Sequence, residues 1–127
     1  MKEPCILTIE ESKDTTLFYK NIFNRLNIKN VFTTNNYLEI KPTIKKVSPS
    51  IIIADLSGSN ESKALNILDI IESSKSKAPI IVVTSSFSFD IKRKLKSFQK
   101  TDSFIKPIDI IEFARSINSL LRSMKSY

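Results

Sequence analysis

The sequence predicts an α/β domain built from five strand–helix units in order, a doubly wound parallel sheet with helices on both faces. Five short apolar, β-branched-rich runs alternate with longer segments of helical spacing, the pattern of parallel strands joined by helical crossovers. Two of the runs, Ile-Ile-Ile-Ala at Ile51–Ala54 and Ile-Ile-Val-Val at Ile80–Val83, are apolar on both faces, as strands covered on both sides must be. The 127 residues suit one domain, since domain sizes peak near about 100–150, so residues 1–127 are expected to form a single unit.

The first run, Cys5–Ile9, reads as a strand. A helix over Asp14–Leu26 follows, with Leu17, Phe18, Ile22 and Leu26 as its apolar stripe and Ser12 and Asp14 as candidate N-caps. Asn30–Thr33 is the second strand. The second helix, Tyr37–Val47, contains Pro42, which sits either in the first turn of a short helix or at a kink in a longer one. The third strand, Ile51–Ala54, leads into a loop holding the only glycine, Gly58, and then a helix over Ser62–Ser73 with Leu65, Leu68 and Ile71 on one stripe. After the fourth strand, Ile80–Val83, Ile91, Leu95 and Phe98 mark a helix over Asp90–Gln99. Ser103–Ile105 is the fifth strand. The last helix, Asp109–Ser123, has the most regular pattern: Ile110, Phe113, Ala114, Ile117, Leu121 and Met124 form a continuous apolar face behind Asp109 as N-cap. It should pack hard on the sheet.

Composition removes several function classes. With no histidine, histidine acid–base chemistry and the commonest transition-metal sites are excluded. Cys5 has no partner cysteine, so no internal disulfide forms; it reads as a small hydrophobe in a reducing compartment. The apolar stretch after Met1-Lys2-Glu3-Pro4 is broken at Glu10 and Glu11, too short for a signal peptide or membrane span. A cytoplasmic location follows. The net charge is +7, but Lys and Arg are scattered, and the one dense run, Lys92, Arg93, Lys94 and Lys96, reads as a solvated helix face. No nucleic-acid recognition motif or aromatic stacking platform accompanies it, which argues against nucleic-acid binding. Without a Gly-rich phosphate loop, a Gly-x-Ser-x-Gly turn or a histidine base, a turnover enzyme has no support.

In open parallel sheets ligands collect beyond the carboxyl ends of the strands. There the sequence places Glu10 and Glu11, Asp55, Thr84 and Ser85, and Lys106 before Pro107. Acids gathered in one crevice repel each other unless a cation is present. Magnesium suits such a place, because it takes oxygen ligands and typically uses one or two carboxylates plus phosphate oxygens. Lys106 would supply a fixed positive charge for phosphoryl oxygens and Thr84 a hydroxyl donor. An acid directly after a fully apolar strand, facing two more acids, points to function rather than to a loop or helix-capping aspartate. Lys106 could equally pair with Asp55 to neutralise a buried charge, a structural role compatible with the functional one.

Four segments, in this order and at these separations, carry a family resemblance: Ile6-Leu7-Thr8-Ile9-Glu10-Glu11, Pro49-Ser50-Ile51-Ile52-Ile53-Ala54-Asp55, Ile81-Val82-Val83-Thr84-Ser85 and Phe104-Ile105-Lys106-Pro107. By them the chain resembles the receiver domains of bacterial two-component response regulators over essentially its whole length. The resemblance implies a flavodoxin-like sheet of order 2-1-3-4-5. It implies that Asp55 is the nucleophile that accepts a phosphoryl group from a sensor histidine kinase or a phosphotransfer protein. Glu10, Glu11, Asp55 and the Ser57 backbone carbonyl would hold Mg2+, and Thr84 and Lys106 would bind the phosphoryl oxygens. The chain would catalyse only the formation and slow hydrolysis of its own acylphosphate. Its output would be a changed affinity for an effector protein or domain through the fourth helix, fifth strand and fifth helix; a homodimer through the fourth and fifth helices is a separate hypothesis. The domain would be free-standing or the N-terminal part of a longer regulator.

The chain departs from the family pattern at defined positions. Both members of the acidic pair are glutamates; the extra methylene moves the carboxylate by roughly a bond length in a metal site that tolerates little distortion. The loop after Asp55 is Leu56-Ser57-Gly58-Ser59-Asn60, with Lys63 at the place of a later glycine. Ser103 stands where the family has an aromatic three residues before the lysine, and Phe104 faces the other side of the sheet. These departures motivate a second expectation, a degenerate receiver that acts as a phosphorylation-independent protein-interaction module.

Overall fold

The structure, a computed structural model, describes residues 3–124. Strands β1 (Cys5–Ile9), β2 (Asn30–Thr34), β3 (Ile51–Asp55), β4 (Ile80–Thr84) and β5 (Thr101–Ile105) alternate with helices α1 (Lys13–Arg25), α2 (Tyr37–Val47), α3 (Glu61–Ser73), α4 (Phe89–Leu95) and α5 (Ile110–Met124). All strand pairs are parallel and the order is β2-β1-β3-β4-β5, as expected. The order reverses between β1 and β3, so a crevice opens beyond their carboxyl ends.

Alternation along each strand divides the core in two. Leu7, Ile9, Ile52, Ala54, Ile80 and Val82 pack with Ile40 and Ile44 of α2, Ala64, Ile67, Leu68 and Ile71 of α3, and Ile91 of α4. On the opposite face Ile6, Ile51, Ile53, Ile81 and Val83 pack with Tyr19, Ile22 and Phe23 of α1 and Phe113 and Ile117 of α5. Strands β1, β3 and β4 are buried throughout. Each such large apolar side chain contributes about 1.5–3 kcal/mol on burial, so these three strands anchor the sheet, while β2 and β5 are largely exposed edges.

Several elements differ in detail from expectation. Helix α1 buries Ile22 as expected, with Phe18 and Leu26 partly buried beside it, but it turns Leu17 outward, 61% exposed, and adds Tyr19 and Phe23 to the buried face. Pro42 lies mid-helix in an unbroken α2. It is exposed, as is Leu38, the residue four positions back whose carbonyl a proline cannot serve with an amide donor. The fourth helix stops at Leu95, not Gln99; Lys96, Ser97 and Phe98 donate to the carbonyls three residues back at 3.0–3.2 Å, a tighter winding. Strand β5 begins at Thr101, two residues before the expected start, in a polar segment without apolar alternation.

The helix starts are side-chain capped: Ser12, Asn36, Asn60 and Ser88 accept backbone N–H bonds, and Asp109 accepts from Ile111 N and Glu112 N at 2.9 and 3.2 Å. Asp14, the other cap candidate, lies in the first turn of α1, where its charge suits the helix dipole. The side chain of Met124, expected on the apolar face of α5, lies outside the described residues. Within the basic run, Lys94 bridges Asp69 and Glu72 of α3 at 2.5 Å each, and Arg93 lies 3.6 Å from Asp90. Cys5 is buried, which raises its thiol pKa. Among the described residues no helix is long and apolar enough to cross a membrane.

Candidate functional site

Because Asp55 continues the row Ile51, Ile53, its side chain falls on the α1/α5 face at the end of β3. It is 5% exposed. Four contacts surround its carboxylate. The Lys106 ammonium lies 3.2 Å from Oδ2, and the Tyr19 hydroxyl donates to the same oxygen at 2.7 Å. The Ser57 backbone N–H and hydroxyl both donate to Oδ1, at 3.0 and 2.5 Å. Lys106 leaves the end of β5 held by its own N–H to Thr84 O at 3.0 Å, beside the cis Lys106–Pro107 bond.

Glu10 follows β1 in the same crevice and is 3% exposed. Neither carboxylate oxygen has a hydrogen-bond partner. Burial, with the Asp55 charge adding to it, raises its pKa; Thr16, Lys106 and Lys20 offset this only in part. The Thr16 hydroxyl is committed elsewhere, to Ser12 O at 3.1 Å. Tyr19, buried beside both carboxylates, has its pKa pushed far up, by desolvation first and then by Asp55, so it remains a donor.

Glu11 behaves differently. Its carboxylate is paired with Lys63 of α3, and Lys63 also lies 5.4 Å from the centre of the Tyr37 ring. The bare Gly58 gives Glu11 room, for a Cβ there would come within 3.3 Å of Glu11 Oε2. Thr84 is buried, but its hydroxyl turns into the following loop, donating to Ser86 O at 3.0 Å. Beside it lies a cavity of about 110 Å3 whose polar lining includes Ser57, Ser59, Thr84, Ser85, Ser86 and Ser88; the Ser59 hydroxyl is buried without a partner. On β5 Ser103 is exposed, while Phe104 packs edge-on against Phe113 with ring centres 5.2 Å apart.

Solved structures share this architecture. A signal receiver domain from Vibrio parahaemolyticus superposes with a TM-score of 0.80 at 22% identity, over 98% of this chain and 94% of that one. The chain has the receiver fold. The receiver domain of a modulated diguanylate cyclase from Desulfovibrio desulfuricans gives 0.79 at 18% identity, covering 98% of each chain. That of a two-component signal transduction histidine kinase from Clostridium thermocellum gives 0.79 at 21%, over 94% of this chain and 98% of that one. No family model matches the sequence, and no curated protein does.

On this receiver fold Asp55, Glu10 and Lys106 are neighbours, whereas Glu11 and the Thr84 hydroxyl are engaged elsewhere. No group of three or more acidic, cysteine or histidine side chains is arranged to hold a metal among the described residues. The donor set still suits magnesium: two buried carboxylates, one of them unpartnered, are what that ion commonly takes from a protein, with water and phosphate oxygens completing its shell. Sequence reading missed Tyr19. Its signal was present in the spacing of Tyr19, Ile22 and Phe23, but the overlapping stripe beginning at Leu17 and Phe18 competed with it.

Proposed function

We propose that this chain is a working receiver: Asp55 accepts a phosphoryl group from a sensor histidine kinase or a phosphotransfer protein, and the phosphorylated domain changes its affinity for an effector. The observation that carries the proposal is the buried Asp55 carboxylate held 3.2 Å from Lys106 beside the buried, unpartnered Glu10. A carboxylate oxygen of Asp55 attacks phosphorus, the bond to the donor breaks, and an aspartyl phosphate forms. Lys106 follows the transferred oxygens and offsets their charge, and Thr84 joins it by turning from Ser86.

Glu10 and Asp55 would hold Mg2+, with the Ser57 carbonyl and, once released from Lys63, Glu11. The ion supplies charge neutralisation between carboxylates and phosphate. The chemistry is confined to the domain's own acylphosphate, in the cytoplasm, and no separate substrate turns over. The effector, or a second copy of the chain, would use the α4–β5–α5 side, where Phe89, Ile105 and Ile111 are exposed.

The second reading, a phosphorylation-independent binding module, is favoured by the Lys63 pairing of Glu11 and by Ser103 on β5. One experiment separates the two. Incubated with Mg2+ and acetyl phosphate, the chain is expected to gain one phosphoryl mass, and the gain is expected to be absent in Asp55→Asn or without Mg2+. No gain at high donor concentration would leave the binding module.

A further inference from the structure

Both Asp55 oxygens accept hydrogen bonds, and one of these bonds comes from a group that cannot follow a reaction. An ionised carboxylate offers about four acceptor sites. Here Ser57 N–H and Ser57 O–H take Oδ1, and Lys106 and Tyr19 take Oδ2. Ser57 sits in a half-buried loop and the Lys106 side chain is one-third exposed (33%), so both can move with an incoming phosphoryl group. Tyr19 is 1% exposed. Its ring lies between Phe18, Phe23 and Phe113, with centres 5.4, 6.4 and 5.7 Å away, and in a packed core such a ring has no free volume to swing into.

The hydroxyl therefore stays aimed at Oδ2 whichever state Asp55 is in, and the two states accept its bond unequally. A carboxylate is ionised; the same group in an acylphosphate is an uncharged carbonyl carrying the phosphoryl ester. Hydrogen bonds to ionised acceptors are roughly twice as strong as neutral ones. In the forward step, Asp55 carboxylate attacks phosphorus of acetyl phosphate, the P–O bond to acetate breaks, and acetate leaves with the electron pair. In hydrolysis water attacks phosphorus and the Asp55 carboxylate is itself the leaving group, with the water protons passing to phosphate and solvent. A donor fixed on the carboxylate slows the first step and assists the second.

We propose that Tyr19 is a restraint on the acceptor, a hydroxyl locked by the α1/α5 aromatic cluster that keeps Asp55 phosphorylation low in extent and short in duration. The proposal deepens the receiver reading and rests on Asp55 being the acceptor. Tyr19 touches the reacting carboxylate but is neither attacked nor transferred.

The test uses the full chain and Tyr19→Phe, which keeps the ring and removes the donor. Both are incubated with Mg2+ and acetyl phosphate, the phosphorylated fraction is read by intact mass, and the acylphosphate half-life is followed after the donor is removed. Tyr19→Phe is expected to carry more phosphoryl group and to hold it longer, with a half-life extended on the order of ten-fold, the size of one hydrogen bond to a charged group. A purely structural role would shift the melting temperature, measured in parallel, without lengthening the half-life. Tyr19→Leu repeats the test should the phenylalanine variant fold poorly. Equal or shorter half-lives in variant and parent would overturn the restraint and leave the acceptor reading intact. Absence of uptake in the parent and both variants would overturn the two together.

Discussion

Asp55 and Glu10 stand at the carboxyl ends of adjacent strands, and both are almost fully buried, yet their surroundings are opposite. Asp55 has three donors and an ammonium around its two oxygens. Glu10 has no hydrogen-bond partner on either oxygen, and burial raises its pKa. A carboxylate without donors in a low-dielectric crevice destabilises a fold, whereas hydrogen bonds and a counter-charge offset the burial cost of the other. The chain's own donors therefore hold Asp55 in place, whereas none of them reaches Glu10. Sites where local rules fail in this way are where function outweighs stability, and the Lys106 and Lys20 charges offset the burial of Glu10 only in part.

The contrast can be broken from the Asp55 side first. Tyr19→Ala removes both the ring and the donor and is expected to cost about 3–5 kcal/mol, as for other buried aromatics, measured by urea unfolding. Lys106→Met leaves Asp55 with its three hydrogen-bond donors but no counter-charge. The expected loss is about 1–2 kcal/mol, below the value for a fully buried pair because water already reaches Lys106; phosphoryl uptake falls with it.

From the Glu10 side the sign reverses. Glu10→Gln in metal-free buffer is expected to stabilise the chain at pH 7 by about 1 kcal/mol, since an amide escapes the cost of burying an unpaired charge. A raised folded-state pKa means that the folded chain binds the proton more tightly than the unfolded chain. The parent's stability therefore falls as pH rises from near the ordinary value of 4.5 through the folded value. The advantage of the glutamine variant should grow over that interval and vanish below it, and a melting series across pH would show this. A glutamine variant less stable than the parent at pH 7 would mean that Glu10 has donors after all.

The smallest effect lies at Glu11. Lys63→Met removes the ammonium that competes for its carboxylate, and Mg2+ affinity, read by calorimetry, should tighten by about three-fold, the worth of one exposed ion pair.

Much of this was legible in the sequence because it depended on periodicity. Ile51–Ala54 and Ile80–Val83 declared central strands, and the residues after each run fell at the crevice because strand order and direction put them there. What escaped depended on choices between near-equivalent patterns. Two overlapping stripes on α1 begin at Leu17 and Tyr19, and only packing against Phe113 separates them. Thr101 and Asp102 extend β5 by backbone pairing to Ile80 and Ile81, with no side-chain signal. The pairing of Glu11 with Lys63 joins residues far apart in sequence, a contact that no local spacing encodes.

The central claim is that Asp55 is the phosphoacceptor, and borohydride trapping tests it most directly. Reduction of an aspartyl phosphate yields homoserine, which peptide mass mapping locates to a single position after treatment with Mg2+ and acetyl phosphate. Homoserine at position 55, absent when Mg2+ is withheld, is the predicted result. Reduced product at any other carboxylate, or none on a chain that has gained phosphoryl mass, would contradict it.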